Sequence, residues 1–319
     1  MITRLVSLGN VIIDIVAEIA TLPERGTDVL ASAAAIEVGG GFNLMAAASR
    51  QGLPVAYAGG LGHGPFGDLA RRTLAAEGIA LLLPDNEADR KDTGFDVVLV
   101  DAGGERTFIT AVGAEARLTR ARLDHVELGA TDALAISGYG MLHDANRRAI
   151  LQRLTRLHSG TIVCYDPGPL GHTVPDHVTE ALYHRVDWWS CNEREAALIT
   201  GLSDPARGAA ALQARLQHGS VVIRSGMSGC LVARPGERVL EVPGVPVAVV
   251  DTTGAGDAHL GAFIAGLAAG RDAPAAARRA NVVAAMTVTR HGPATSPTAE
   301  ETDRFCADLS GCQPGRAAT

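Results

Sequence analysis

The sequence predicts an α/β fold: a mostly parallel sheet covered by helices on both faces, with a small second β-sheet projecting from it. Three observations carry this. Short apolar runs alternate with Ala-rich or amphipathic ones along most of the 319 residues, the rhythm of successive βα units. Two segments, about 11–38 and 93–112, break that rhythm with β-like runs and turn signals but no long helix. Late in the chain, the small-residue turn Asp251–Asp257 follows a valine-rich, strand-like segment (Val245, Val247, Val249, Val250) and runs into a helix-like stretch.

Taken in order, Leu5–Gly9 reads as a strand, Asn43–Gln51 as an Ala-rich helix ending at Gly52, Val55–Ala58 as a strand, and Phe66–Glu77 as a helix stopped by Gly78. Asp96–Val100 and Glu105–Thr110, around Gly103-Gly104, read as a hairpin of the small sheet. Ala133–Ile136, Thr161–Tyr165, Trp188–Ser190 and Val221–Arg224 are apolar enough for strands buried on both faces. Between them lie helical patterns over Ala145–Leu157, Glu193–Thr200 and Pro205–Gln217; Ala255–Ala269 and Ala273–Thr289 close the core. The chain is read as a single domain over 1–319. Its small sheet is poised as a lid or dimer face, and residues 311–319 are expected to form a flexible tail.

Composition narrows the function. A net charge of −7 argues against a general nucleic-acid or anionic-membrane surface. No apolar run reaches the ~20 residues a bilayer span requires, and Arg4, Asp14 and Glu18 interrupt the N-terminal apolar stretch, so no membrane association is expected. Five scattered cysteines without a Cys-x-x-Cys pair suit reduced thiols in the cytoplasm.

The strongest chemical signal is Asp251-Thr-Thr-Gly-Ala-Gly-Asp257. Free N–H groups at a helix start, unobstructed by side chains, suit a multiply charged anion such as phosphate. A carboxylate at the same point repels phosphate but can take a proton from a hydroxyl that attacks it. The competing reading is a plain helix cap in a tight turn. Gly39-Gly40-Gly41-Phe42-Asn43 opens the first long helix, either as a ligand-hugging turn or as an Asn-capped one, and Asp14 either binds hydroxyls or ends a strand. Asn192 and Glu195 share one helix face, as a capping box or as groups orienting a hydrated magnesium ion and its phosphates. Gly62-His-Gly64-Pro-Phe-Gly67, with Asp85 eighteen residues on, matches the dinucleotide pattern and supports a rival from another reaction class, an NAD(P)-dependent oxidoreductase, although Pro65 removes one phosphate-facing N–H. No Walker-type loop, H-E-x-x-H or G-x-S-x-G is present. A catalytically silent sugar- or nucleotide-binding regulator is a third class.

With these motifs assembled, the chain resembles the ribokinase-like (PfkB) carbohydrate kinase family from Gly9 to about Pro297, most specifically over Asp251–Ile264. The resemblance implies a three-layer α/β/α core with a β-lid and ATP-dependent phosphorylation of a hydroxymethyl group on a sugar or, alternatively, a nucleoside. It assigns Asp257 as base and Gly254, Ala255 and Gly256 as anion hole. Asp14, Gly40 or Gly41, and Asn43 would hold the acceptor. Asn192 and Glu195 would act on Mg2+ and phosphates, and Arg224, Gly226, Gly229 and Asn281 would line the nucleotide site. Oxygens around Asp251, Thr253, Arg290, Gly292 and Ser296 would hold a monovalent cation, K+, and the lid would mediate a homodimer. The chain departs from the family pattern in its Gly-Gly-to-Asn spacing and at Ile12, Glu115, Gly168 and His259, where an aromatic is usual; the spacing, Ile12 and His259 bear on which sugar is taken.

Overall fold

The computed structural model describes residues 1–84 and 90–311. The chain enters on β1 (Arg4–Ser7), then builds β2 (Val11–Glu18) and β3 (Ala33–Gly40) before α1 (Gly41–Arg50) springs directly from β3. β4 (Val55–Tyr57), α2 (Pro65–Ala76) and the short β5 (Ala80–Leu81) follow, and β6 (Phe95–Val100) and β7 (Arg106–Ala111) return to the partners of β2. The next stretch alternates: α3 (Arg120–Leu123), β8 (Asp132–Ser137), α4 (Gly138–Leu142), α5 (Asp144–Leu154), β9 (Ile162–Asp166), α6 (Asp176–Tyr183), β10 (Trp188–Asn192), α7 (Glu193–Thr200), α8 (Pro205–Arg215), β11 (Ser220–Arg224). The edge strands β12 (Gly229–Ala233) and β13 (Leu240–Pro243) precede α9 (Ala255–Ala268), α10 (Ala273–Thr287) and α11 (Ala299–Gly311).

Among the described residues, nine strands form one sheet in the order β13-β12-β11-β10-β9-β8-β1-β4-β5, parallel from β11 to β5 and antiparallel at β12 and β13. Alternation along each strand splits its side chains between two apolar cores. Val6, Leu134, Ile136, Val163, Trp189, Val221 and Ile223 face α5–α8, where Ile150, Leu182 and Leu212 meet them. Leu5, Val55, Ala133 and Cys164 face α1, α2 and α9 through Met45, Leu74 and Ile264, and Val222 and Val232 meet Phe263 and Ala276. The result is the α/β fold with three layers, helix–sheet–helix.

Small residues set the helix spacing on the second face. A Cβ on Gly261 of α9 would lie 2.4 Å from the Leu44 carbonyl of α1, and one on Gly266 would lie 2.9 Å from the Ala276 Cβ of α10. The low side-chain bulk of α9 is therefore a packing requirement and brings its N-terminus close to α1.

The second sheet has the order β3-β2-β6-β7, with β2 and β6 parallel and the outer pairs antiparallel. Ile13, Val38 and Phe95 pack on the core cluster of α2, which fixes this sheet beside the first.

One reading requires correction. Residues 244–250 form no strand, and Val249 and Val250 are exposed; Pro243 and Pro246 remove the ladder donors that a strand there would need. The Pro/Gly-rich stretch around His172 and His177 carries α6, started by Pro175 and buried through Val178 and Leu182. Of the expected tail, residues 312–319 lie outside the described residues, as does Asp85.

Candidate active site

Ligands of open parallel sheets collect beyond the carboxyl ends of the strands, and chemistry-bearing residues gather there. β9 ends on Asp166, β10 on Asn192 and β11 on Arg224, with Asn192 and Arg224 in register. Gly254, in the left-handed conformation (φ 71°), turns the chain into α9 and delivers Asp257 to the same end.

Arg224 organises the cluster. Its Nη1 donates to Asp166 Oδ2 at 2.8 Å and to Ser190 Oγ at 2.6 Å, and its Nη2 pairs with Glu195 Oε2 at 3.5 Å. A Cβ on Gly256 would come within 3.3 Å of Arg224 Nε, so the guanidinium lies against the first turn of α9. Asp257 is half-buried, and Asn43 Nδ2 reaches its Oδ2 at 3.4 Å. Burial, then the charge of Asp166, pushes the Asp257 carboxyl up to about 7, against the pull of Asn43 and Arg224.

The amides at the head of α9 are largely available. Among the described residues, no acceptor takes the N–H groups of Gly254, Gly256 or Asp257, while that of Ala255 makes a long 3.3 Å bond to the Thr252 carbonyl. The arrangement provides a nest of N–H groups, an adjacent guanidinium and a carboxyl able to exchange a proton near neutrality.

Asn192 and Glu195 form a reciprocal capping box, each backbone N–H bonded to the other's side chain at 2.8 Å. Glu195 is buried and its Oε2 is spent on Asn192 and Arg224, leaving Oε1 as the open acceptor. The cap and a role toward phosphates are thus compatible. Asn281 is differently placed: its Nδ2 donates to the Val242 and Pro243 carbonyls at 3.0 Å and its Oδ1 meets His259 Nε2 at 3.1 Å. It pins α9 to β13, and burial holds His259 neutral, its imidazole depressed to about 3. Gly226 (φ 56°) and Gly229 (φ 101°) shape the turn after β11; a Cβ on Gly229 would strike the Val242 carbonyl.

The carboxylate of Asp251 accepts from the Thr253 N–H (2.8 Å), the Thr253 hydroxyl (2.7 Å), the Gly292 N–H (3.0 Å) and the Arg106 guanidinium of β7. Burial opposes ionisation, but these donors hold Asp251 down at about 2. Of the other positions proposed for a monovalent cation, Ser296 is buried with an unpartnered hydroxyl, while the side chain of Arg290 is tied to Thr295 O and Glu301. Ser296 fits such an ion. The carboxylate of Asp251, already served by four donors, does not.

On the second sheet, Asp14 lies over Gly39, where a Cβ would sit 2.1 Å from its Oδ2. Gly40 (φ 60°) and Gly41 pass within touching distance of the Asn10 carbonyl, to which Gly41 N–H donates at 2.7 Å. The tight turn that follows brings Asn43 to Asp257. The sequence reading missed Arg106, Asp96 and the role of Asp166. Only Asp166, at a strand end before Pro167, carried a local signal.

The dinucleotide-like loop is filled by the protein itself. Asp92 accepts from Phe66 N–H at 3.1 Å and Gly67 N–H at 2.8 Å, and Thr93 Oγ1 accepts from Gly62 N–H at 2.9 Å. A Cβ on Gly62 would lie 2.2 Å from Asp92 and Thr93 backbone atoms. Gly62, Gly64 and Gly67 therefore serve packing, and with the Gly62, Phe66 and Gly67 amides already bonded the loop has no room for a pyrophosphate.

Comparison with known proteins agrees with this geometry. The chain is 30% identical over 308 residues to the uncharacterized sugar kinase YegV of Escherichia coli K12, spanning 92% of this chain and 91% of that protein. Its fold matches the Arabidopsis thaliana ribokinase structure complexed with ribose and ATP (TM-score 0.76, 23% identity, 96% of this chain and 99% of that one). It also matches adenosine kinase from Sinorhizobium meliloti (TM-score 0.82, 21% identity, 96% and 100%). The family model described as pfkB family carbohydrate kinase matches residues 2–300, and the chain belongs to that family.

Proposed function

We propose that this carbohydrate kinase transfers the γ-phosphoryl group of ATP to a hydroxymethyl group of a small free sugar, with Asp257 as general base. The observation that carries the reading is a half-buried carboxyl, raised to about 7, at the head of a helix whose Gly254 and Gly256 amides lack partners among the described residues. A base of that pKa is ionised often enough at neutral pH to take the acceptor's proton and is still basic enough to hold it. The amides of Gly254 and Gly256, with Ala255 joining once its long bond yields, and the Arg224 guanidinium then face the charge that develops on the transferring group. Asp14, Gly40, Gly41 and Asn43 form the acceptor side; Gly226 and Gly229 form the nucleotide side. Asn281 contributes by fixing α9, on which the base rides. Mg2+, when bound, neutralises phosphate charge, and Glu195 Oε1 would reach it through water.

The whole chain is read as one kinase domain, with 11–38 and 93–112 as a lid that excludes water over the acceptor. Ile36 and Ile109 are exposed on the outward continuation of the sheet face that packs on the core, which supports a homodimer through the lid. The free buried thiols of Cys164, Cys191 and Cys230 suit the cytoplasm, and no helix among the described residues is long and apolar enough to cross a membrane. A free sugar is favoured over a nucleoside because, of the four aromatics near the second sheet, Phe42 is buried and Phe95 packs on Phe66 of α2, leaving only the exposed Phe108 and Tyr139 as stacking surfaces.

The test is ADP release with Mg2+–ATP across pentoses, hexoses and nucleosides. A sugar-dependent rate that disappears in Asp257→Asn supports the reading; no acceptor-dependent rate from well-folded protein rules it out.

A further inference from the structure

One row of the second sheet carries an unusual concentration of negative charge. Strand register sets Glu37 opposite Asp14, Asp14 opposite Asp96, and Asp96 opposite Thr110. Register partners project from the same face, on strands about 4.8 Å apart, and like charges directly opposite one another destabilise a sheet. No basic residue stands in the row, and both arginines of the site are committed elsewhere, Arg106 to Asp251 and Arg224 to Asp166 and Glu195. Glu37 reaches the other way, over Gly292, where a Cβ would meet its Oε1 at 3.2 Å. Asp14 and Asp96 are left as an uncompensated pair.

The face they share belongs to the acceptor cleft. Asp14 lies over Gly39, four residues before Asn43. Burial, then the charges of Asp96 and Asp257, raise the phenol of Tyr139, so both carboxylates lie near enough to act on it. Two oxygen acceptors here are buried without a partner: Asp96 Oδ1, although Thr110 serves the same carboxylate, and Oδ1 of Asn43, which is only 6% exposed. Burial raises both carboxyls, and the charges of Asp96 and Glu37 add to the rise of Asp14, to about 7.

We propose that Asp14, Asp96 and the Asn43 carbonyl form an ammonium-binding acceptor subsite, so that the preferred acceptor is an aminated sugar. This rests on the kinase reading above. Hydroxyls alone could satisfy the lone pairs but would leave two adjacent charges uncompensated. An ammonium group brings three donors for three waiting acceptors and a positive charge between the carboxylates. The same charges reject sugar acids and sugar phosphates.

The experiment measures ADP release and calorimetric binding for three matched acceptors: glucosamine, glucose, and N-acetylglucosamine, which keeps the nitrogen without its charge. Gluconate and ribose serve as controls. Wild type should use glucosamine at least about tenfold more efficiently than glucose, the scale of one charge-assisted hydrogen bond. Asp96→Asn, nearly isosteric and checked for folding by circular dichroism, should erase that preference by raising the glucosamine KM and Kd with kcat little changed. Equal use of glucose and glucosamine by wild type, or an Asp96→Asn variant that keeps the preference, overturns the proposal. Turnover of neutral sugars without any of aminated ones removes the ammonium subsite and leaves the kinase reading intact; no turnover of any acceptor removes both.

Discussion

Arg106 of β7 and Asp251 of the loop before α9 are joined by an ion pair that spans 145 positions of sequence. The pair ties the second sheet to the turn that opens α9, because Asp251 also holds the Thr253 and Gly292 amides. Arg106→Gln should weaken the protein by about 1–3 kcal/mol, as expected for losing a hydrogen bond to a charged group, read as a lower urea midpoint. Asp251 is depressed to about 2, so its contribution is present above its unfolded pKa of about 4 and is lost as pH falls toward 2. Acid unfolding of Arg106→Gln should therefore begin at higher pH than in wild type. An unchanged urea midpoint with an unchanged acid transition would show that the pair contributes nothing.

Asp257→Asn should lower kcat by about 10²–10⁴-fold, the usual loss of a general base, with ATP affinity nearly unchanged. In wild type, kcat/KM should climb with pH and level off above about 7. The stability effect runs the opposite way: a carboxyl raised in the folded state costs stability as pH rises from about 4 through 7. The asparagine variant should then gain melting temperature relative to wild type at pH 8 and not at pH 4. Parallel melting curves at both pH values would contradict the raised pKa.

Arg224→Met leaves Asp166 and Glu195 without their shared cation, and breaking such a buried pair costs about 3–5 kcal/mol. It also removes a charge that pulls the Asp257 pKa down, so the acid limb of the rate profile should move to higher pH. Thermal unfolding and the pH–rate curve report the two effects separately; a profile that stays in place would mean that Arg224 does not act on the base.

Gly261→Ala drives a Cβ into the Leu44 carbonyl at 2.4 Å, a backbone atom that cannot step aside. The expected overpacking cost is about 1–3 kcal/mol. Gly256→Ala meets the movable Arg224 side chain at 3.3 Å, so its effect should fall on kcat more than on the melting temperature. Comparing the two variants by urea denaturation and steady-state kinetics separates a packing glycine from one at the reacting end.

NADH should give no saturable fluorescence change, whereas ATP with Mg2+ should raise the melting temperature. The Gly62, Phe66 and Gly67 amides of the dinucleotide-like loop are bonded to Asp92 and Thr93. Asp92→Ala should cost about 1 kcal/mol, the loss of a helix cap, without creating NADH binding. Tight NADH binding to wild type would refute the assignment of that loop to packing.

The sequence by itself determined the local pattern. Glu193–Thr200 was legible to the residue, because a capping box starts it and Gly201 in the left-handed conformation ends it. The turn into α9 was legible because few side chains permit that conformation beside a helix start. Signals that depend on neighbours were not. Val245–Val250 has strand composition but no partner ladder, β12 exists as a strand only against β11 and β13 only against β12, and Asn281 looks like a ligand residue until β13 takes its amide. The glycines at 62, 64 and 67 fit a dinucleotide pattern equally well until Thr93 takes the Gly62 amide and Asp92 the Gly67 amide. Tertiary structure alone decided which charges meet: Arg106 with Asp251, Arg224 with Asp166, Asp14 with Asp96. Coulomb energy depends on separation in space and on burial, and neither can be read from separation along the chain.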